Sequence, residues 1–142
     1  PPAEAGPEPG MFCERGEAVH DRLFPEPDVV NDYIGWEDAL CGLEALDERY
    51  PDMIEVKELG TSVGWQNTMT QGQDTFPVLS VEVTDETVAD KRGNLVFINS
   101  VHGNEKGARE GALRAIEDLL TGQGITPQVE EATGMSVGEV LD

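Results

Sequence analysis

Basic side chains are scarce in this sequence. Its 142 residues include nine Lys and Arg against 29 Asp and Glu, which gives a formal net charge of -20 at pH 7. Such a surface repels the phosphates of nucleic acids and of anionic membranes, so we expect neither as a partner. The acidic residues are spread along the whole chain. This composition is typical of adaptation to concentrated salt, which screens self-repulsion; the alternative is an acidic protein from a low-salt habitat.

Long apolar runs and cysteines are also few. No stretch approaches the apolar length needed to cross a membrane. The first residues lack a basic stretch followed by an apolar run, so we predict no signal peptide. Cys13 and Cys41 are too few for a disulfide framework. They could form one bridge in an exported protein or remain apart as reduced thiols, and both alternatives stay open.

Residues 1–30 are predicted to be a mobile, proline-rich and acidic N-terminal segment. The first ten, PPAEAGPEPG, contain four prolines and two glycines, a composition typical of an extended arm. Residues 11–31 are predicted to dock on the rest of the chain without forming a long element, because their apolar side chains run into two prolines. Those apolar side chains are Phe12, Val19, Leu23 and Phe24. Residues 31–142 are predicted to form part of one domain.

Apolar periodicity predicts a helix from about residue 36 to residue 50, with Gly35 as its N-cap and Pro51 ending it. Alternating apolar residues predict a strand over 54–59, ended by Gly60, and another over 78–84. A loop over 64–75 is expected between them. In the second strand one face is predicted to carry Leu79, Val81 and Val83.

The segment LVFINSV, residues 95–101, differs because its apolar run is nearly continuous. That pattern is typical of a strand covered on both faces in the middle of a sheet. A second long helix is predicted from Glu105 to Leu120, with core-facing Ala108, Ala112, Ile116, Leu119 and Leu120. About three strands and two main helices in this order predict an α/β architecture.

His102 and Glu105 are the candidate metal ligands. In open α/β sheets, ligand sites lie at the carboxyl ends of strands, and His102 directly follows the predicted buried strand. Gly103 permits a tight turn, and Glu105 begins the next helix three residues after the histidine. Imidazole and carboxylate are both ligands for Zn²⁺. The alternative is a solvated turn histidine beside a glutamate that stabilises the helix dipole.

The stretch VFINSVHGNEKGAREGALRAIEDLL, residues 96–120, resembles the zinc metallocarboxypeptidases (carboxypeptidase A/B-like peptidases). Upstream, LDERYPD and LGTS are similar to that family's helix with a Tyr-Pro stop and its Ile-Gly-x-Ser strand end, so the resemblance covers residues 31–121. It implies a mixed-sheet α/β fold, Zn²⁺ as cofactor and removal of C-terminal residues from a peptide or protein substrate. It also implies that residues 31–142 are the N-terminal part of such a catalytic domain, so that the fold in this chain is incomplete. It also makes His102 and Glu105 the first two zinc ligands.

The family's second zinc histidine, its carboxylate-binding arginines, its substrate tyrosine and its general-base glutamate all lie downstream of this motif. After residue 121 the sequence has no His, Arg or Tyr. His20 is predicted to be a surface residue, and the late glutamates to belong to the acidic surface: Glu130, Glu131 and Glu139. We therefore expect an incomplete site, a specificity pocket outside the chain and no measurable hydrolysis by these 142 residues alone.

Two other interpretations remain. The aspartoacylase and succinylglutamate desuccinylase relatives use a similar His-Gly-Asn-Glu turn to bind zinc and deacylate small amides. A non-catalytic, truncated remnant of a peptidase-like scaffold is the second. Compartment stays open, although the proline-rich start and the peptidase resemblance favour export.

Overall fold

The computed structural model describes residues 12–26, 29, 32–66, 72–84, 96–99 and 105–141. Within these residues the protein is mixed α/β, which confirms the predicted class at that level. The strands are β1 (Cys13–Glu14), β2 (Glu17–Ala18), β3 (Ile54–Thr61), β4 (Trp65–Gln66), β5 (Gln73–Asp74) and β6 (Pro77–Val83). The helices are α1 (Trp36–Arg49), α2 (Lys106–Thr121), α3 (Thr126–Thr133) and α4 (Val137–Leu141).

Helix α1 follows its predicted bounds closely. Gly35 is the N-cap, and the helix ends at Arg49, two residues before Pro51. Its buried face includes Gly42 and four apolar side chains that pack in the core: Ala39, Leu43, Ala45 and Leu46.

Strands β3 and β6 form the longest antiparallel pair, with Ile54 opposite Val83 and Val56 opposite Val81. The alternation predicted for β6 is confirmed, since Leu79, Val81 and Val83 all pack against the core cluster. The predicted end of β3 at Gly60 is wrong, because the strand continues to Thr61. A register shift between Glu58 and Gly60 accommodates this, and Gly60 takes a φ of +154° that favours glycine.

The loop predicted over 64–75 contains a short antiparallel pair of its own. Strand β4 pairs with β5, with Trp65 opposite Asp74. The described residues therefore form three separate two-stranded sheets, all antiparallel.

A strand was predicted over residues 95–101. This prediction is wrong for residues 96–99, which are the part of that range that the structure describes. These four residues adopt no regular structure, and Val96, Phe97 and Ile98 are 77%, 75% and 80% exposed. An apolar run becomes a buried strand only where neighbouring strands supply hydrogen-bond partners. None of the three described strand pairs includes residues 96–99. Residues 95, 100 and 101 lie outside the described part of the chain.

Helix α2 also has its predicted bounds to within one residue, but its core-facing side is rotated. Ala108 is exposed, whereas Leu113 is buried together with three carboxylates: Glu110, Glu117 and Asp118. Ile116 and Leu120 do pack against the core cluster as predicted. The reason for the rotation is that these carboxylates accept backbone N–H groups and pair with arginines, as described below.

The N-terminal segment docks on the domain as predicted. Phe12, Leu23 and Phe24 are fully buried in the core, and β1 pairs with β2 in a short hairpin. A disulfide joins Cys13 to Cys41 of α1, which decides between the two alternatives left open by the sequence. The domain boundary predicted at residue 30 and the mobility predicted for residues 1–30 stay predictions. Residues 1–11, 27, 28, 30 and 31 lie outside the described part.

After α2 the chain forms two short helices. Gly122 caps α2 in the left-handed conformation, and α3 and α4 follow. No helix among the described residues is long and apolar enough to span a membrane.

Candidate metal site at the start of α2

Glu105 lies at the N-cap of α2, with φ -86° and ψ 62°. Its side chain is exposed and makes no capping hydrogen bond to the helix. The carboxylate is therefore presented at the end of the helix where backbone N–H groups point outward. His102 lies outside the described residues, so its approach to Glu105 stays a prediction.

The first turns of α2 contact residues 33 and 34. Arg109 donates from Nη2 to the Ile34 carbonyl at 2.7 Å, and the Ile34 N–H donates to Glu110 Oε1 at 2.9 Å. Lys106 Nζ lies 4.7 Å from the centroid of the Tyr33 ring, within cation–π range. These contacts place the start of the helix, and with it Glu105, against the segment that leads into α1.

The other end of α2 is held by a second set of buried carboxylates. Glu117 accepts the N–H groups of Leu23 and Phe24, both at 2.8 Å. Asp118 accepts the N–H of Ile125 at 2.9 Å and contacts the guanidinium of Arg22. Because both ends of α2 are attached, the position of the helix is fixed relative to the segments that precede α1.

Sequence reasoning missed these carboxylates. Glu110, Leu113 and Glu117 lie three and four residues apart, so they share one face of the helix. This spacing is the only sequence signal that indicates the buried face. In a chain with 29 acidic residues, the same spacing also occurs among surface glutamates, so it does not distinguish buried from exposed ones.

The other histidine lies elsewhere. His20 is half-buried and lines an open cavity of about 560 Å³, together with Val19, Asp21, Arg22, Pro25, Glu26 and Val29. The carboxylates that were assigned to the acidic surface are exposed, as predicted: Glu130, Glu131 and Glu139. Glu139 accepts hydrogen bonds from Ser136 and Glu130 accepts one from Val137, so both have local structural roles.

The donor types of the predicted pair fit zinc, and Glu105 is the member of the pair that lies within the described residues. Zn²⁺ is bound by carboxylate oxygens and imidazole nitrogens, which are the donor types of the two predicted ligands, Glu105 and His102. Among the described residues, no group of three or more His, Cys, Asp or Glu side chains is gathered as a metal site. His102 lies outside the described residues, so this search does not test whether His102 and Glu105 lie close together.

Comparisons with known proteins add no relative: no family model, curated protein or solved structure matches this chain.

Proposed function

We propose that this chain carries the first two protein ligands, His102 and Glu105, of a zinc site of the metallocarboxypeptidase type. The zinc-carboxypeptidase-like fold and a peptide or protein substrate belong to the same proposal. Its support is the resemblance over residues 31–121. The observation that carries it is the position of Glu105, which lies exposed at the N-cap of α2, the helix predicted from the apolar periodicity.

The two side chains would have separate roles. A neutral imidazole at His102 donates a nitrogen lone pair, and the carboxylate of Glu105 supplies oxygen and negative charge. Bound Zn²⁺ would polarise the scissile carbonyl and lower the pKa of a water molecule. The attachment of α2 to the core keeps Glu105 in one place, which a metal ligand requires.

Two protein ligands bind zinc more weakly than the three of a complete catalytic site. Activation of a water molecule also needs a general base, and we assign that role to none of the 142 residues. For the chain alone we therefore expect zinc binding without measurable release of C-terminal residues from peptides.

Isothermal titration of Zn²⁺ into the chain tests the proposal. His102→Ala and Glu105→Gln should each weaken zinc binding by about tenfold or more, since even outer-shell partners of zinc ligands contribute that much. Glu131→Gln is the matched control, because it removes the same charge from an exposed position with no assigned ligand role. If all three variants bind zinc like the original chain, the site does not exist and the non-catalytic interpretation stands.

A further inference from the structure

Two adjacent side chains of α2 hold both backbone polar groups of one buried residue. Arg109 donates to the carbonyl of Ile34, and Glu110 accepts its N–H. Ile34 is 0% exposed, so these backbone groups cannot reach water and depend on the two side chains for their hydrogen bonds. The contact therefore attaches α2 to the core at a defined point.

Glu110 is itself held in place. Its other oxygen, Oε2, lies 3.1 Å from Nη1 of Arg114, one turn further along α2. Both partners are largely buried, with side-chain exposures of 11% for Arg114 and 9% for Glu110. A buried ion pair that is also hydrogen-bonded keeps its geometry, because displacing either group would leave the other charge unpaired.

The attachment lies next to Glu105. Lys106, Arg109 and Glu110 are spaced so that they share one face of the first turns, and all three contact residues 33 and 34. Glu105 is one helical turn before Arg109, at the end of the same face.

We infer that Arg109 and Glu110 are positioning residues, which fix the carboxylate of Glu105 for metal binding by holding the start of α2 on Ile34. The inference rests on the proposed function. Neither residue touches the metal; each acts by limiting how far the first turn of the helix can move. Metal affinity depends on such outer contacts because a displaced ligand must be brought back at a free-energy cost.

Arg109→Ala distinguishes positioning from simple electrostatics by the direction of its effect. Removing a positive charge one turn from Glu105 makes the local potential more negative, and Coulomb attraction alone would then tighten Zn²⁺ binding. Loss of positioning has the opposite effect. We expect zinc affinity to fall by about tenfold, the lower end of the range for outer-shell partners.

Arg49→Ala is the matched control. Arg49 donates from Nη2 to the carbonyl of Gly16 at 2.8 Å, so its removal deletes the same charge and the same type of bond at α1. We expect its zinc affinity to stay within twofold of the original chain, roughly the uncertainty of a single-interaction effect. Arg109→Lys should recover most of the loss, since an ammonium group can also donate to the Ile34 carbonyl.

A second readout does not depend on zinc. The ring current of Tyr33 should shift the side-chain proton resonances of Lys106 in the NMR spectrum, because the ammonium group lies over the ring. Arg109→Ala should move these resonances towards their random-coil positions, and Arg49→Ala should leave them unchanged. Arg109→Met keeps most of the apolar stem while removing the donors, so it provides the same test should Arg109→Ala not fold.

The outcomes separate the two claims. If Glu105→Gln weakens zinc binding but Arg109→Ala does not, the inference is overturned and the proposed function stands. If Glu105→Gln leaves zinc binding unchanged, the proposed function fails and the inference fails with it. Weaker binding in both variants, with Lys106 shifted only in Arg109→Ala, supports both.

Discussion

Buried carboxylates accept hydrogen bonds from backbone N–H groups that lie outside the helices and the long strands. The pairs in the described part of the chain are Asp38 with Phe12 and Cys13, Glu110 with Ile34, Glu117 with Leu23 and Phe24, and Asp118 with Ile125. Hydrogen bonds to ionised acceptors are about twice as strong as neutral ones. The acid-rich composition therefore contributes to the interior as well as to the surface.

Gly42 is a second point where one residue controls packing. A Cβ at this position of α1 would lie 2.5 Å from Cζ of Phe24, which is fully buried. Gly42→Ala should therefore lower the free energy of unfolding by about 1–3 kcal/mol through overpacking. Urea unfolding followed by circular dichroism measures the change.

Gly111→Ala is the control for that measurement. No atom lies within 4 Å of the Cβ it would add in α2, so the substitution should stabilise the protein by about 0.5–1 kcal/mol through helix propensity. Equal effects of the two substitutions would contradict the close contact between Gly42 and Phe24.

At the scale of elements, periodicity predicted both long helices and the alternation of β6. It did not predict where residues 96–99 would go, because partner strands decide whether an apolar run is buried. Periodicity also predicted the wrong buried face for α2. Glu110 and Glu117 are charged, so they were not expected in the interior, and their burial depends on backbone partners that lie far away in the sequence. The bulge at Gly60 was not predicted for a similar reason. A glycine can end a strand or can form a bulge within it, and the pairing with the neighbouring strand decides which of the two occurs.

For the candidate site the sequence supplied the residue types and their spacing. The structure adds the position of Glu105 and the contacts of Arg109 and Glu110 with Ile34, which lies 75 residues and more away along the chain. Contacts at that separation leave no periodic signal in a single sequence, so no local pattern could have revealed them.

The disulfide between Cys13 and Cys41 ties the N-terminal hairpin to α1 and closes a loop with a sequence separation of 28 residues. Loop-closure entropy for that length predicts a stabilisation of about 3.5 kcal/mol. Dithiothreitol should lower the urea midpoint of the original chain accordingly. The double variant Cys13→Ser, Cys41→Ser should already be destabilised and should not respond to dithiothreitol. A midpoint that ignores the reductant would mean that the cysteines remain apart as thiols.

At the scale of the whole molecule, a charge of -20 on 142 residues opposes compaction at low salt. The Debye length falls from about 10 Å at 0.1 M salt to about 3 Å at 1 M, so most of this repulsion is screened by then. We expect the thermal midpoint to rise steeply with KCl up to about 1 M and more slowly above it. Equal midpoints in dilute and multimolar KCl would contradict adaptation to concentrated salt.

We propose that His102 and Glu105 bind one zinc ion together, and NMR of the imidazole nitrogens tests this directly. The chain has only two histidines, so His20 serves as an internal reference. In long-range ¹H–¹⁵N spectra recorded during a Zn²⁺ titration, the imidazole nitrogens of His102 should shift while those of His20 stay in place, and Glu105→Gln should greatly reduce the shift at equal zinc. A His102 signal that does not move, or that moves no more than that of His20, would contradict the claim.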